Sequence, residues 1–149
     1  MSGPDDTIED MYRSMAQVSE EEMAKQMEAH LAQMAAQGYD KVEGPILQYA
    51  KATALPGRRA ELLEVLKRFQ PIVTQEEATL MYGHFPDIDD PDVVHSIQVY
   101  ESWDILCHHM RQMKYNQFVV PVMSLSAPGS PEYSFGSCLF MHRGKGREA

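Results

Sequence analysis

The chain has 149 residues, 44% of them hydrophobic, a formal net charge of −9 and an isoelectric point near 5.0, which suits one respectable core plus an extension rather than two full domains. The acidic balance offers no basic stripe to release counterions from a phosphate backbone, so nucleic acid is not an expected partner. No stretch approaches the ~18 apolar residues of a membrane span, and the opening Met-Ser-Gly-Pro-Asp-Asp lacks the basic and apolar regions of a secretory signal, so a cytoplasmic protein without a membrane partner is expected.

Residues 1–40 are acidic, Met-rich and free of strand signals, and they read as a helical arm. A short turn carrying Met11, Met15 and Val18 is expected first. Ser19 with Glu22 then forms a capping-box pattern, Met23, Met27, Leu31 and Met34 recur at helical spacing, and Gly38 supplies the stop. Such a stripe must be covered, by the chain's own domain or by a partner subunit. A single domain is expected over 41–143, and 144–149 is too polar to pack and reads as a disordered tail.

Within that domain Ile46 to Ala54 predicts a strand with Tyr49, Lys51 and Thr53 on one face and Gln48, Ala50 and Ala52 on the other. Pro56-Gly57 turns the chain into one long helix with Leu62, Leu66, Phe69 and Val73 along its stripe. Thr79 to Phe85 and Val93 to Tyr100 read as strands joined by a short acidic Asp-Pro turn, hence as an antiparallel hairpin. A second helix is expected from Ser102 to about Val119, and a final strand over Tyr133 to His142. The order βαββαβ is the ferredoxin-like arrangement of the α+β class. Helices on one side of its sheet leave the other face apolar, and a second copy closing face to face is the simplest cover, so a homodimer is expected.

His108 and His109 project to different sides of the second helix. His109 shares the apolar face with Leu106, Met110 and Met113, while His108 falls at the margin. Tyr49, Tyr82, Tyr100 and His84 come from strands and could converge beneath His109 in a small-molecule cleft. The histidines show no metal-ligand spacing, and there is no GxGxxG, P-loop or GxSxG element, so neither a metal nor another tightly bound cofactor is expected. Cys107 and Cys138 form no CxxC pair and read as reduced, half-buried small hydrophobes.

The first strand leading into Leu55-Pro56-Gly57-Arg58-Arg59 and Glu61-Leu62-Leu63, the hairpin around Asp87 to Asp92, and the run VYESWDILCHH ending in His109 resemble the antibiotic biosynthesis monooxygenase family of dimeric α/β-barrel proteins. The resemblance covers about residues 46 to 142. His109 stands at the family's helix histidine, whereas Gln98-Val99-Tyr100 replaces a Glu-x-Trp end of the third strand and Ile105 replaces a small Ala. The family includes oxygenases acting on hydroquinones, phenols and anthrone-type polyketides without metal or flavin, so the resemblance implies a cofactor-independent monooxygenase in secondary metabolism, with a small aromatic substrate and dioxygen as partners. On that reading His109 is the base and Tyr100 or Tyr82 the hydrogen-bond donor to the developing oxyanion or peroxide. Tyr49, His84, Gln98, Trp103, Met110, Met113 and Phe118 would bind the substrate. The same pocket would equally serve a polyketide cyclase, dehydratase or decarboxylase, or a non-catalytic partner protein that binds a hydrophobic ligand.

Overall fold

A computed structural model describes residues 19–112 and 118–147 of the chain. The expected turn around Met11, Met15 and Val18, and the side chain of Met113, lie outside those residues. Helix α1 spans Glu20–Ala36, and the Ser19 hydroxyl accepts the Glu22 N–H at 3.1 Å, satisfying one of the donors that a helix start leaves open. Gly38 then adopts φ 98°, a left-handed conformation that side chains resist, and the chain passes through a single 3-10 turn, Tyr39–Lys41. Leu31 and Met34 of α1 are buried with Ile46, Tyr100, Leu106 and Cys107, so the helix docks on its own domain. On the surface Arg111 grips Glu28 of the same helix at 2.7 Å.

Four strands follow: β1 Ile46–Thr53, β2 Thr79–Pro86, β3 Val93–Tyr100 and β4 Glu132–Ser137. They form one sheet in the order β2-β3-β1-β4 with every neighbouring pair antiparallel, the α+β, ferredoxin-like topology. Between them run α2 Arg59–Lys67, α3 Gln70–Val73, α4 Trp103–Met110 and α5 Val119–Ser124. Arg59 at the start of α2 donates to the carbonyls of Asp87 and Asp90 at 3.1 and 2.8 Å, which ties the helix to the β2–β3 turn. Leu62, Val65 and Leu66 bury the inner face of α2 against Ala52, Ala54 and Val94. Each contributes roughly 1.5–3 kcal/mol on the scale of fully buried aliphatic side chains.

Four boundaries differ from the sequence expectation, each for a local reason. The long helix after Pro56-Gly57 is two helices, because Pro71 has no N–H to return to Lys67 and the ladder restarts around it. The second helix stops at Met110 rather than near Val119, with the Gln112 N–H closing on the His109 carbonyl in the tighter three-residue pattern of a helix end. Strand β1 ends at Thr53, and Ala54 makes only an isolated bridge to Ser126. Strand β4 ends at Ser137 rather than His142, since Ser137 pairs with Ile46, the first residue of β1, and no partner strand extends beyond it. Leu139 and Phe140 are consequently exposed.

The register divides the sheet into two faces. Gln48, Ala50 and Ala52 of β1 share the helix-covered face with Ser96, Gln98 and Tyr100 of β3, Tyr82 and His84 of β2, and Tyr133 and Phe135 of β4. Leu47, Tyr49, Met81, Phe85 and His95 stand on the opposite, open face. A β-bulge between Thr79 and Met81 breaks the alternation at the start of β2, so that Thr79 opposes Tyr100 while Met81 opposes Val99.

Candidate active site

Between the covered face and the helices lies a cavity of about 320 Å³, within the range of small-molecule sites. Gln48, Ser96, Gln98, Tyr82, His84 and Tyr133 make its floor, with Phe135 and Ala50. Its walls are Leu66 and Phe69 from the α2–α3 region, His109 and Met110 from α4, Phe118 and Val122 around α5, and Met27 and His30 from α1. The lining is mainly apolar and aromatic, with Phe69 4.2 Å from Phe118 between ring centroids, the two rings tilted by 40°, and with Phe69 also close to Tyr82 and His84. Such walls suit a planar ring system.

His109 is 5% exposed and sits on the inward face of α4, because its position shares the helical stripe with Leu106 and Met110. Its Nδ1 pairs with Oε2 of Glu76 at 2.8 Å, and the tyrosine ring of Tyr100 backs it at 5.0 Å between centroids. Glu76 also accepts hydrogen bonds from Gln112 Nε2 at 2.7 Å and from Thr79 Oγ1 at 2.9 Å. The bulge makes the last of these possible, since without it Thr79 would fall on the Met81 face, away from Glu76. A carboxylate so held fixes the imidazole's orientation and stabilises its protonated form. His109 and Glu76 also line a second cleft of about 490 Å³, bordered by exposed Gln75, Glu77 and His108. The pair thus stands between the inner cavity and the surface.

Across the floor, His84 pairs through Nδ1 with Ser96 Oγ at 2.8 Å and through Nε2 with Tyr82 Oη at 3.1 Å. Burial pushes the His84 imidazole down to about 4, so it is neutral at physiological pH. The Tyr82 phenol is pushed well above its ordinary range, first by burial and then by the negative field of Glu76 and by Tyr133. Burial raises Tyr133 as well. Both phenols therefore keep their protons and can donate hydrogen bonds.

Of the residues read from sequence, His109, Tyr82, His84, Gln98, Met110 and Phe118 line the cavity. Tyr100 does not: it is wholly buried behind His109, and its hydroxyl donates to Gln98 Oε1. Trp103 is also outside, packed near Tyr39 in the cluster behind Phe135. Tyr49 is on the open face, where its hydroxyl meets His95 Nδ1 at 2.7 Å; an odd residue of β1 cannot share a face with Gln48 and Ala50. His108 is exposed, as the helical spacing implies. Of the two cysteines, Cys107 is buried, with its thiol pushed up by that burial, whereas Cys138 is exposed rather than half-buried. Sequence reasoning missed Glu76, Gln48, Ser96 and Phe69. Gln48 carried a usable signal, as the polar exception on the small-residue face of β1. Glu76 gave none, since Glu76-Glu77 before a strand looks like a solvated turn. Among the described residues no group of three or more His, Cys, Asp or Glu is gathered as metal ligands, and no helix is long and apolar enough to cross a membrane.

No family model matches this sequence, and no curated protein matches it. Solved structures do share its fold. A proposed antibiotic biosynthesis monooxygenase from Caulobacter crescentus CB15 superposes with a TM-score of 0.59 at 20% identity, over 72% of this chain and 99% of that one. Another, from Chloroflexus aurantiacus J-10-fl, gives 0.56 at 18% identity over 66% of this chain and 97% of that one. SnoaB, a cofactor-independent oxygenase from Streptomyces nogalater, gives 0.57 at 14% identity over 65% of this chain and 95% of that one. The fold implied by the sequence's family resemblance is therefore the fold of structures bearing that family's name. Each matches nearly whole, while roughly a third of this chain lies outside the match.

Proposed function

We propose that the protein is a cofactor-independent monooxygenase of an aromatic phenol, hydroquinone or anthrone. The observation that carries this reading is the His109–Glu76 pair, a buried imidazole on the wall of an aromatic-lined cavity, held by a half-buried carboxylate. His109 takes the phenolic or benzylic proton, and Glu76 stabilises the imidazolium and offers a path toward the surface cleft. The resulting carbanion or phenolate is electron-rich enough to reduce dioxygen. For an anthrone the balance is a methylene plus dioxygen going to a carbonyl plus water, so the substrate supplies all the electrons. Tyr82 donates to the oxyanion or peroxide as charge develops, and the apolar walls keep the reactive species from water. The likeness to SnoaB supports oxygenation over other chemistries of the same pocket.

The open sheet face supports a homodimer. Leu47, Met81 and Phe85 are 38%, 46% and 52% exposed there, an apolar patch that a second copy would cover. Substrate-dependent oxygen uptake by metal-stripped, flavin-free protein tests the catalytic reading. Uptake with an anthrone or quinol upholds it, whereas conversion without oxygen consumption points to a cyclase or decarboxylase, and binding without conversion to a ligand-binding partner protein.

A further inference from the structure

Gln48 stands in the middle of the sheet, on β1, with its side chain on the covered face and 7% exposed. Among the described residues its Oε1 is buried without a hydrogen-bond partner in the protein. The neighbouring hydroxyls turn elsewhere: that of Tyr100 donates to Gln98, and that of Ser96 is engaged with His84. Buried acceptors are nearly always paired, and Gln48 is one of the residues lining the cavity, so a molecule held there is placed to pair it.

The register places this acceptor. Gln48 lies directly across from Gln98, and Gln98 directly across from Tyr82, so the three form one row over β1, β3 and β2. With strands ~4.8 Å apart, the row runs about 10 Å from Gln48 to Tyr82. One end presents an acceptor and the other a phenol held protonated by its surroundings, with Phe135 and Phe69 beside the two ends.

We infer that Gln48 is a specificity-determining residue whose Oε1 accepts a hydrogen bond from a ring hydroxyl, so that the cavity selects fused-ring aromatics carrying a hydroxyl over the same skeleton without one. A ring hydroxyl reaching this acceptor gains a hydrogen bond, whereas a ligand without a donor leaves it unpaired, as it is in the protein itself. Discrimination by such an orphaned group exceeds what apolar contact alone provides. The inference rests on the cavity being the substrate site proposed above, but not on the reaction performed there.

Binding of 2-naphthol and of naphthalene, measured on the full chain by calorimetry or ligand fluorescence, tests it. The wild type should bind 2-naphthol at least ~10-fold more tightly, and Gln48→Met, similar in volume but without the acceptor, should reduce that preference to about twofold while leaving naphthalene affinity nearly unchanged. Gln48→Leu replaces it should Gln48→Met fail to fold. Equal wild-type affinity for the two probes, or a preference that survives loss of Gln48, would overturn the assignment. The outcome is separable from the oxygenase reading: selective binding without oxygen uptake would sink the oxygenase and leave Gln48 in place, and uptake without selective binding would do the reverse.

Discussion

The two faces of this sheet carry nearly the same residue types and are fitted for different work. On the covered face His84 sits between Ser96 and Tyr82 under aromatic walls, and burial holds it neutral down to about 4. On the open face His95 sits between Tyr49 at 2.7 Å and Asp87 at 2.6 Å. Asp87 is held down to about 2, first by that histidine and then by the N–H groups of Asp90 and Asp89. The Asp87 carboxylate thus organises the β2–β3 turn by accepting from Asp89 and Asp90 at 3.0 and 2.7 Å. What separates the proposed active site from a structural bracket here is the surrounding medium, and a one-residue alternation along each strand decides which medium a side chain meets.

The sharpest break of that comparison is His109→Ala. It should lower turnover ~10²-fold or more while His108→Ala, on the exposed side of the same helix, stays within about twofold. Steady-state kinetics on folded variants checks this. The pH dependence of stability should follow His84 next. Because its folded value lies below its unfolded value of 6.5, the unfolded chain binds the extra proton, so stability is full above pH 6.5 and falls toward pH 4. At about 1.4 kcal/mol per unit the loss is about 3 kcal/mol. Denaturant melts at pH 7 and pH 4.5 should show it, and His84→Gln should flatten that part of the curve.

Glu76→Gln should cost about tenfold in turnover, since it leaves His109 in place but removes the charge that stabilises its imidazolium. It should also shift the acidic limb of the rate profile to lower pH, a change that loss of packing alone would not produce. The smallest effect belongs to the open face. Asp87→Asn should lower Tm by roughly 4 °C or less without touching turnover. Asp87 is depressed in the folded state, so its contribution is present above about pH 3.8 and fades as pH falls toward 2, below the His84 window.

The parts of this molecule legible in sequence are those set by short periods. The succession of strands and helices along the chain, the Ser19 cap and the inward choice of His109 over His108 all follow from local spacing. What escaped depends on pairing between distant segments. Tyr49 was misplaced because alternation gives two faces without saying which the helices cover. Glu76 acquires its role only when a bulge in β2 and the C-terminal end of α4 bring Thr79, His109 and Gln112 around it from as far as 36 residues away. Tyr100 looked available because nothing local shows that its hydroxyl is committed to Gln98.

Labelled dioxygen tests the central claim, that the covered face performs an oxygenation with His109 as base, most directly. Metal-stripped, flavin-free wild type and Tyr49→Phe should both place label from dioxygen into the new carbonyl formed from an anthrone's methylene, while His109→Ala should place almost none. Equal labelling by wild type and His109→Ala, or product formed without label by the wild type, would contradict it.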